Sequence, residues 1–397
     1  MGHYAALDDP RAEPTIEVHL GRIVEAIRSE LEPTAIILRG SFGRGEGSLI
    51  PRADGLQFLS DYEIDVATPS SRHRTRIRRL SRRLTGELGV ATSLRWVRPD
   101  YLRTDRIGPI PAGPAPVTIS LYESRYGSQT LYGRDLIRSS PDVDPARILP
   151  ESGLILMLNR MAESLFFMGP PEDVGPAVHH WINKTILACA ESLLVLWRSY
   201  HYLSGERGRR FAAMAPGRLD FMGGREKTLI ELVDRATEFK LRPRAGVYQD
   251  PPGQTWTLVA EMVEPVFRHV VGQTLGIRFQ AIEEFAGGYL DQRSGHLKRQ
   301  PRSHVIAWTL LEAYRGARVR RLPRWLLRPV LASHVVYAAV PLAFMSYHRQ
   351  DKSAALAEIR RTLGRIEDLG PPEPDQKSEW EDLRLRVARN WKVYCYG

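Results

Sequence analysis

Cysteine is nearly absent: the 397 residues hold two, Cys189 and Cys395. One lies in an apolar run and the other two residues from the end. Two thiols so placed supply neither a disulfide framework nor a zinc site, and a reducing cytoplasm is the expected setting. A long unbroken apolar run is missing too. The most apolar stretch, "RWLLRPVLASHVVYAAVPLAFMSYH" (324–348), is interrupted by Arg328, Pro329, His334 and Pro341. A spanning helix wants about twenty mostly apolar residues, and charge inside one is costly. The stretch therefore reads as a buried core helix, and no transmembrane segment is expected. The opening "MGHYAALDDPRAEP" has no basic segment followed by an apolar one, so no signal peptide is expected either.

Acid is outnumbered. Fifty-six Lys and Arg face 46 Asp and Glu, a formal net charge of +10. Much of the excess is local, in "SRHRTRIRRLSRRL" (71–84) and "RGARVRRLPRWLLR" (315–328). Such a surface favours polyanionic partners such as nucleic acid, nucleotides or an anionic membrane face, or stands simply as a solvated basic face. Neither stretch carries the aromatic interleaving of a single-strand binder.

Hydrophobic periodicity divides the chain in two. Residues 15–31, "TIEVHLGRIVEAIRSEL", and the basic stretch 71–88 have helical spacing, whereas 34–39, 61–68 and 90–98 are short β-rich runs. A Pro/Gly-rich loop, "GPIPAGPAP" (108–116), follows. Beyond "SPDVDPARILP" (140–150) strand patterns nearly vanish and helical stretches recur. The fold class expected is α+β: a small mixed-sheet domain over 15–140, then a large all-α domain over 150–397.

Chemistry concentrates in the first part. In "LRGSFGRGEG" (38–47), Gly40 allows close backbone approach, backbone amides can cradle phosphate, the Ser41 hydroxyl can donate to a phosphate oxygen, and Arg44 offers a fork of donors to the same anion. The loop is neither a Walker-A loop nor a dinucleotide fingerprint, since no Gly-Lys-Ser/Thr or well-placed G-x-G-x-x-G opens a helix here. Downstream, "DYEIDV" sets Asp61, Glu63 and Asp65 two apart, on one face of a strand. Three carboxylates on one face repel unless a cation sits among them, and Mg²⁺ takes one or two carboxylates plus phosphate oxygens. Loop and acids together describe a site for a nucleoside triphosphate with metal. The bland reading of the acids is a solvated edge strand.

The combination "LRGSFGRGEG…LSDYEIDV" resembles the nucleotidyltransferase superfamily, which includes DNA polymerase β and the minimal bacterial nucleotidyltransferases. Gly40 and Ser41 match its loop, and Ser60, Asp61 and Glu63 match its acidic motif, with glutamate where aspartate is commoner. The insertion "SLIPRADGLQFL" lengthens the gap between them. The resemblance covers roughly residues 20–135 and implies an enzyme. In it Asp61 and Glu63 hold Mg²⁺ or Mn²⁺, Ser41 and Arg44 hold the β- and γ-phosphates, and a hydroxyl acceptor attacks the α-phosphate of a nucleoside triphosphate as pyrophosphate leaves. The acceptor is a small molecule, a protein or a nucleic acid. The stretch 178–211 is similar to the helical domains that follow many such catalytic domains, which makes Lys184 a further phosphate ligand; its plain reading is a surface lysine. One departure stands out. Catalytic members carry a third carboxylate on a following strand, and here "ATSLRWV" offers Ser93 or Arg95 instead. Asp65 or Glu123 substitutes for it, or the domain is a degenerate module that binds nucleotide or nucleic acid without turnover.

Overall fold

A computed structural model describes all residues except 1, 101–115, 169–175, 244–251, 301, 316–329, 367–377 and 396–397. Most of the loop 108–116 and nearly all of the second arginine-rich stretch, 315–328, lie outside the described residues. The chain forms two compact units. One comprises residues 1–153, 190–220 and 226–247, and the other 154–189, 221–225 and 248–397.

The first unit is built on a four-stranded mixed sheet of β1 (Ala35–Arg39), β4 (Tyr62–Ala67), β5 (Thr92–Val97) and β6 (Gln129–Gly133), in the order β5-β4-β1-β6. β1 runs antiparallel to β4 and β6, and β4 parallel to β5. Alternation along the strands separates two faces. Ile36, Leu38, Tyr62, Ile64, Val66 and Leu94 belong to one core cluster with the buried stripes of two helices. These are α1 (Ala12–Glu30), through Ile16, Leu20, Ile23 and Ile27, and α3 (Arg74–Leu88), through Ile77, Leu80 and Leu84. Spacings of three and four residues put each stripe on one helix face. Gly89, with φ +65°, ends α3 in the left-handed conformation that glycine adopts at least cost.

The polar insertion between loop and acids is a second, two-stranded sheet. β2 (Leu49–Arg52) pairs with β3 (Gly55–Phe58) across the two-residue turn Ala53–Asp54. Hydrophobic pattern does not mark these strands, because Leu49–Arg52 does not alternate and Gly55–Phe58 alternates over only three residues. Helix α4 (Ile119–Tyr126), capped by the Thr118 hydroxyl on the Leu121 amide, precedes β6.

Helices α7 (Ser204–Met214) and α8 (Glu226–Leu241) also belong to this unit. They pack closely, since a Cβ on Gly208 would lie 2.7 Å from the Thr237 hydroxyl. A break near residue 140–150 groups these helices with the later ones; the structure groups them with the sheet.

The second unit is helical. Its elements include α9 (Pro252–Leu275), α10 (Ile282–Lys298), α11 (Arg302–Arg315), α12 (Ala332–Met345), α13 (Ser353–Leu363) and α14 (Glu379–Tyr394). Its centre is α12, buried along its whole length from Val335 to Met345 and packed on α9, α10, α13 and α14. The core helix expected within 324–348 is thus found over its described part. Tyr337 and Trp391 both donate to the Asn159 side-chain oxygen, at 2.8 and 2.9 Å. Among the described residues no helix is long and apolar enough to cross a membrane.

Candidate active site

Strand β1 ends at Arg39, and the chain turns at once into a single helical turn, α2 (Gly40–Gly43). The turn needs Gly40 for its backbone conformation. Its φ is +64°, a region that disfavours side chains. A Cβ there would also lie 2.4 Å from Glu63 Oε1. The register explains the approach, because Arg39 pairs with Glu63 on β4. The Gly-Ser turn therefore sits directly against the second carboxylate of the acidic strand.

Ser41 and Ser60 are held by one residue that sequence reasoning missed. The buried ammonium of Lys240, on α8, donates to Ser41 Oγ at 2.7 Å and Ser48 Oγ at 2.8 Å, with the Glu46 carbonyl at 3.3 Å and Ser60 Oγ at 3.5 Å. Ser60 Oγ in turn accepts from the Ser48 amide at 3.0 Å. Lys240 thus ties the turn at Ser41 to the residue immediately before Asp61. Because Ser41 Oγ accepts from Lys240, its own proton points to another acceptor. The available signal was a lysine continuing the apolar stripe Leu229, Val233, Ala236 of α8.

The three acids of the strand differ in environment. Asp61 and Glu63 are half-buried, and no hydrogen bond or ion pair engages either among the described residues. Asp65 is 1% exposed. Arg95 grips it with two bonds of 2.8 Å, and Arg39 approaches at 3.5 Å. Here the parallel register sets Asp65 opposite Arg95 and Glu63 opposite Ser93. The strand position expected to hold a third acid carries the cation that neutralises Asp65. An isolated buried carboxylate would be costly, so this pairing explains how Asp65 is tolerated and assigns it to an ion pair, not to a metal.

Arg44 and Glu123 are also absorbed elsewhere. The Arg44 guanidinium is buried against Glu123 at 3.2 Å and Glu46 at 3.5 Å. Glu123 also accepts from Tyr200 Oη at 2.8 Å and Arg207 at 3.0 Å, and Arg207 reaches Glu191 at 2.9 Å. Glu46 accepts the Ser204 and Gly205 amides at the start of α7, where an acid complements the helix dipole. Burial alone would raise both carboxyl pKa values. The guanidiniums of Arg44 and Arg207 outweigh it and hold Glu123 and Glu46 below the usual glutamate range. Arg44 is itself raised, its burial outweighed mainly by Glu123. Arg44, read from sequence as a phosphate donor, is thus a member of a buried charge cluster, and Glu123 is not an open acid.

Lys184 lies on α6 (Pro176–Leu196), in the second unit, with its ammonium 4.4 Å from the centre of the Trp181 ring.

Gly40, Ser41, Ser60, Glu63 and Lys240 converge, and Asp61 follows Ser60 in the chain. Among the described residues no three His, Cys, Asp or Glu side chains form a metal-holding group. A hard cation here would draw on Asp61 and Glu63 and complete its shell with phosphate oxygens and water, the mode in which Mg²⁺ is commonly bound. The unengaged pair beside a backbone with no side chain fits that mode. Comparison of the chain with models of known families, with curated proteins and with solved structures finds no match.

Proposed function

We propose that the first unit is a metal-dependent nucleotidyltransferase. It would move a nucleoside monophosphate from a nucleoside triphosphate to a hydroxyl acceptor, with release of pyrophosphate. The observation that carries the reading is the packing of the Gly40 backbone against the Glu63 carboxylate. It joins a phosphate-type turn to an unengaged acidic pair at one point of the sheet. Mg²⁺ or Mn²⁺, bound with the nucleotide by Asp61 and Glu63, would supply charge neutralisation at the phosphates. Ser41, its oxygen already accepting from Lys240, donates its proton to a β- or γ-phosphate oxygen. The missing side chain of Gly40 lets the Glu63 carboxylate pack directly against the turn that would hold that phosphate. The acceptor oxygen bonds to the α-phosphorus as the bond to the bridging oxygen breaks; the electron pair leaves with pyrophosphate, and the hydroxyl proton passes to solvent water. Charge stabilisation and positioning carry much of such catalysis. A reducing cytoplasm remains the proposed setting, on the strength of a cysteine content of only two.

A second reading is favoured by one specific observation. Arg95 occupies the strand position expected to hold a third acid and neutralises Asp65. A module that binds nucleotide without turning it over would carry this arrangement.

Label transfer from α-labelled nucleoside triphosphates, with Mg²⁺ or Mn²⁺, to the protein and to cell extract separates the two. The control is Asp61→Ala with Glu63→Ala. Transfer by the wild type and none by the control is the expected result. Triphosphate binding with no transfer from folded protein selects the second reading, and no binding at all rejects both.

A further inference from the structure

We propose that the exposed arginine face of α3 is a docking surface for the phosphodiester backbone of duplex nucleic acid. This surface is independent of catalysis: an inactive module would carry it equally.

The inference starts from charge that nothing nearby neutralises. Helix α3 buries Ile77, Leu80 and Leu84 to 1–2% exposure, and the arginines among and just before them all point outward. Arg76 donates to the Glu30 carbonyl, Arg83 pairs with Glu30 and Glu87, and Arg74 lies 4.3 Å over the Trp96 ring. Arg72, Arg78, Arg79 and Arg82 have no carboxylate partner among the described residues. Like charges four apart, such as Arg78 with Arg74 and Arg82, each destabilise a helix by about 0.2–0.5 kcal/mol. Cations before and within the first turn also oppose the macrodipole, and no acid offsets them there. The helix thus accumulates repulsion that an anionic partner would relieve.

The form of the face selects the partner. Every basic residue in the segment 71–88, apart from His73, is arginine, whose planar fork matches phosphate oxygens in a bidentate way. Fifteen residues span ~22 Å of helix, comparable to the rise of about six base pairs. A membrane surface would need an apolar face free to enter the headgroup region, and here that face is the core. A single strand would need exposed aromatic platforms, and the exposed residues of α3 are Arg, Thr, Gly and Glu. Backbone contact to a duplex requires neither.

The test uses the full chain and fluorescence anisotropy. The probes are a short DNA duplex, an RNA duplex, a single strand of equal length and phosphatidylserine vesicles, each titrated across salt. Duplex binding is expected to be the tightest and to weaken linearly in log–log form. Arg78→Ala with Arg79→Ala and Arg82→Ala should lower the salt slope by about 2.7 and the affinity at least about tenfold at low salt. The matching triple lysine variant keeps the charge and should keep the slope. Arg134→Ala with Arg138→Ala and Arg147→Ala removes equal charge from other exposed positions of the unit and should change the slope by less than about one. An unchanged slope in the alanine variant overturns the proposal. So does tighter binding to vesicles or single strand, or a control that loses as much as the α3 variant.

Discussion

At Gly40 one missing methyl group decides the geometry of the site. Replacing it with alanine sets a Cβ 2.4 Å from Glu63 Oε1 at a φ of +64°. The backbone strain alone costs ~1–2 kcal/mol, and relief of the clash must come from moving the Glu63 carboxylate. We expect Gly40→Ala to lose about 1–2 kcal/mol of stability by denaturant titration while losing Mn²⁺ affinity, measured with a nonhydrolysable triphosphate, by more than about tenfold. A variant equally destabilised but with wild-type metal affinity would detach Gly40 from the acids. The turn and the acids were legible from the sequence, because glycine and alternating carboxylates have few other uses in that order. Lys240 was not, since nothing in a run of residues indicates that a lysine two hundred positions away ends beside Ser41. For the same reason Asp65 read as an open acid: its identity was visible, but the arginine opposite it in the register was not.

Between elements, the decisive structure is the cluster that joins the start of α7 to α4 and the Gly-Ser turn. Glu123 on α4 accepts from Arg44, Tyr200 and Arg207 at once. Glutamine keeps its shape but not its charge, leaving two buried guanidiniums with less compensation. Removing one partner of a buried ion pair costs ~3–5 kcal/mol, and Glu46 and Glu191 retain part of it, so ~3 kcal/mol is expected for Glu123→Gln at neutral pH. The pH dependence follows from the sign of the shift. The folded pKa of Glu123 is held below its ordinary 4.5, burial being outweighed by Arg44 and Arg207. Its contribution is therefore complete above that value and is lost as pH falls through the lower folded one. Unfolding curves of wild type and variant should converge below about pH 4.5. A gap that persists into acid would mean that shape, not charge, sets the penalty. The main helices and strands of the sheet were legible from pattern, because α1, α3 and β5 keep one buried face and β1 is a short apolar run buried on both. The hairpin β2–β3 was not, since Arg52 and Gly55 meet through a tight turn that hydrophobic pattern does not encode.

Across the whole molecule, two compact units with separate cores place their pH sensitivities in different windows. In the second unit His334, on the buried helix α12, has its pKa lowered from 6.5 to about 4, first by burial and then by Arg293 and His296. Its Nδ1 has no hydrogen-bond partner among the described residues. A proton is thus bound by the unfolded chain and refused by the folded one between those values, so stability rises with pH across that window. At about pH 5 the penalty is ~2 kcal/mol, which lowers the midpoint of a unit of this size by about 4–8 °C. His334→Gln removes the titration, so its stability relative to wild type should improve on passing from neutral pH to about pH 5 by that amount. The gain belongs to the second unit, and Glu123→Gln belongs to the first. Calorimetry of the two variants should therefore move different parts of the unfolding profile. If both variants shift one common transition by their full amounts, the two units unfold as a single cooperative body. Separate shifts mean that the sheet unit, with its Gly-Ser turn and arginine face, holds its structure through its own core.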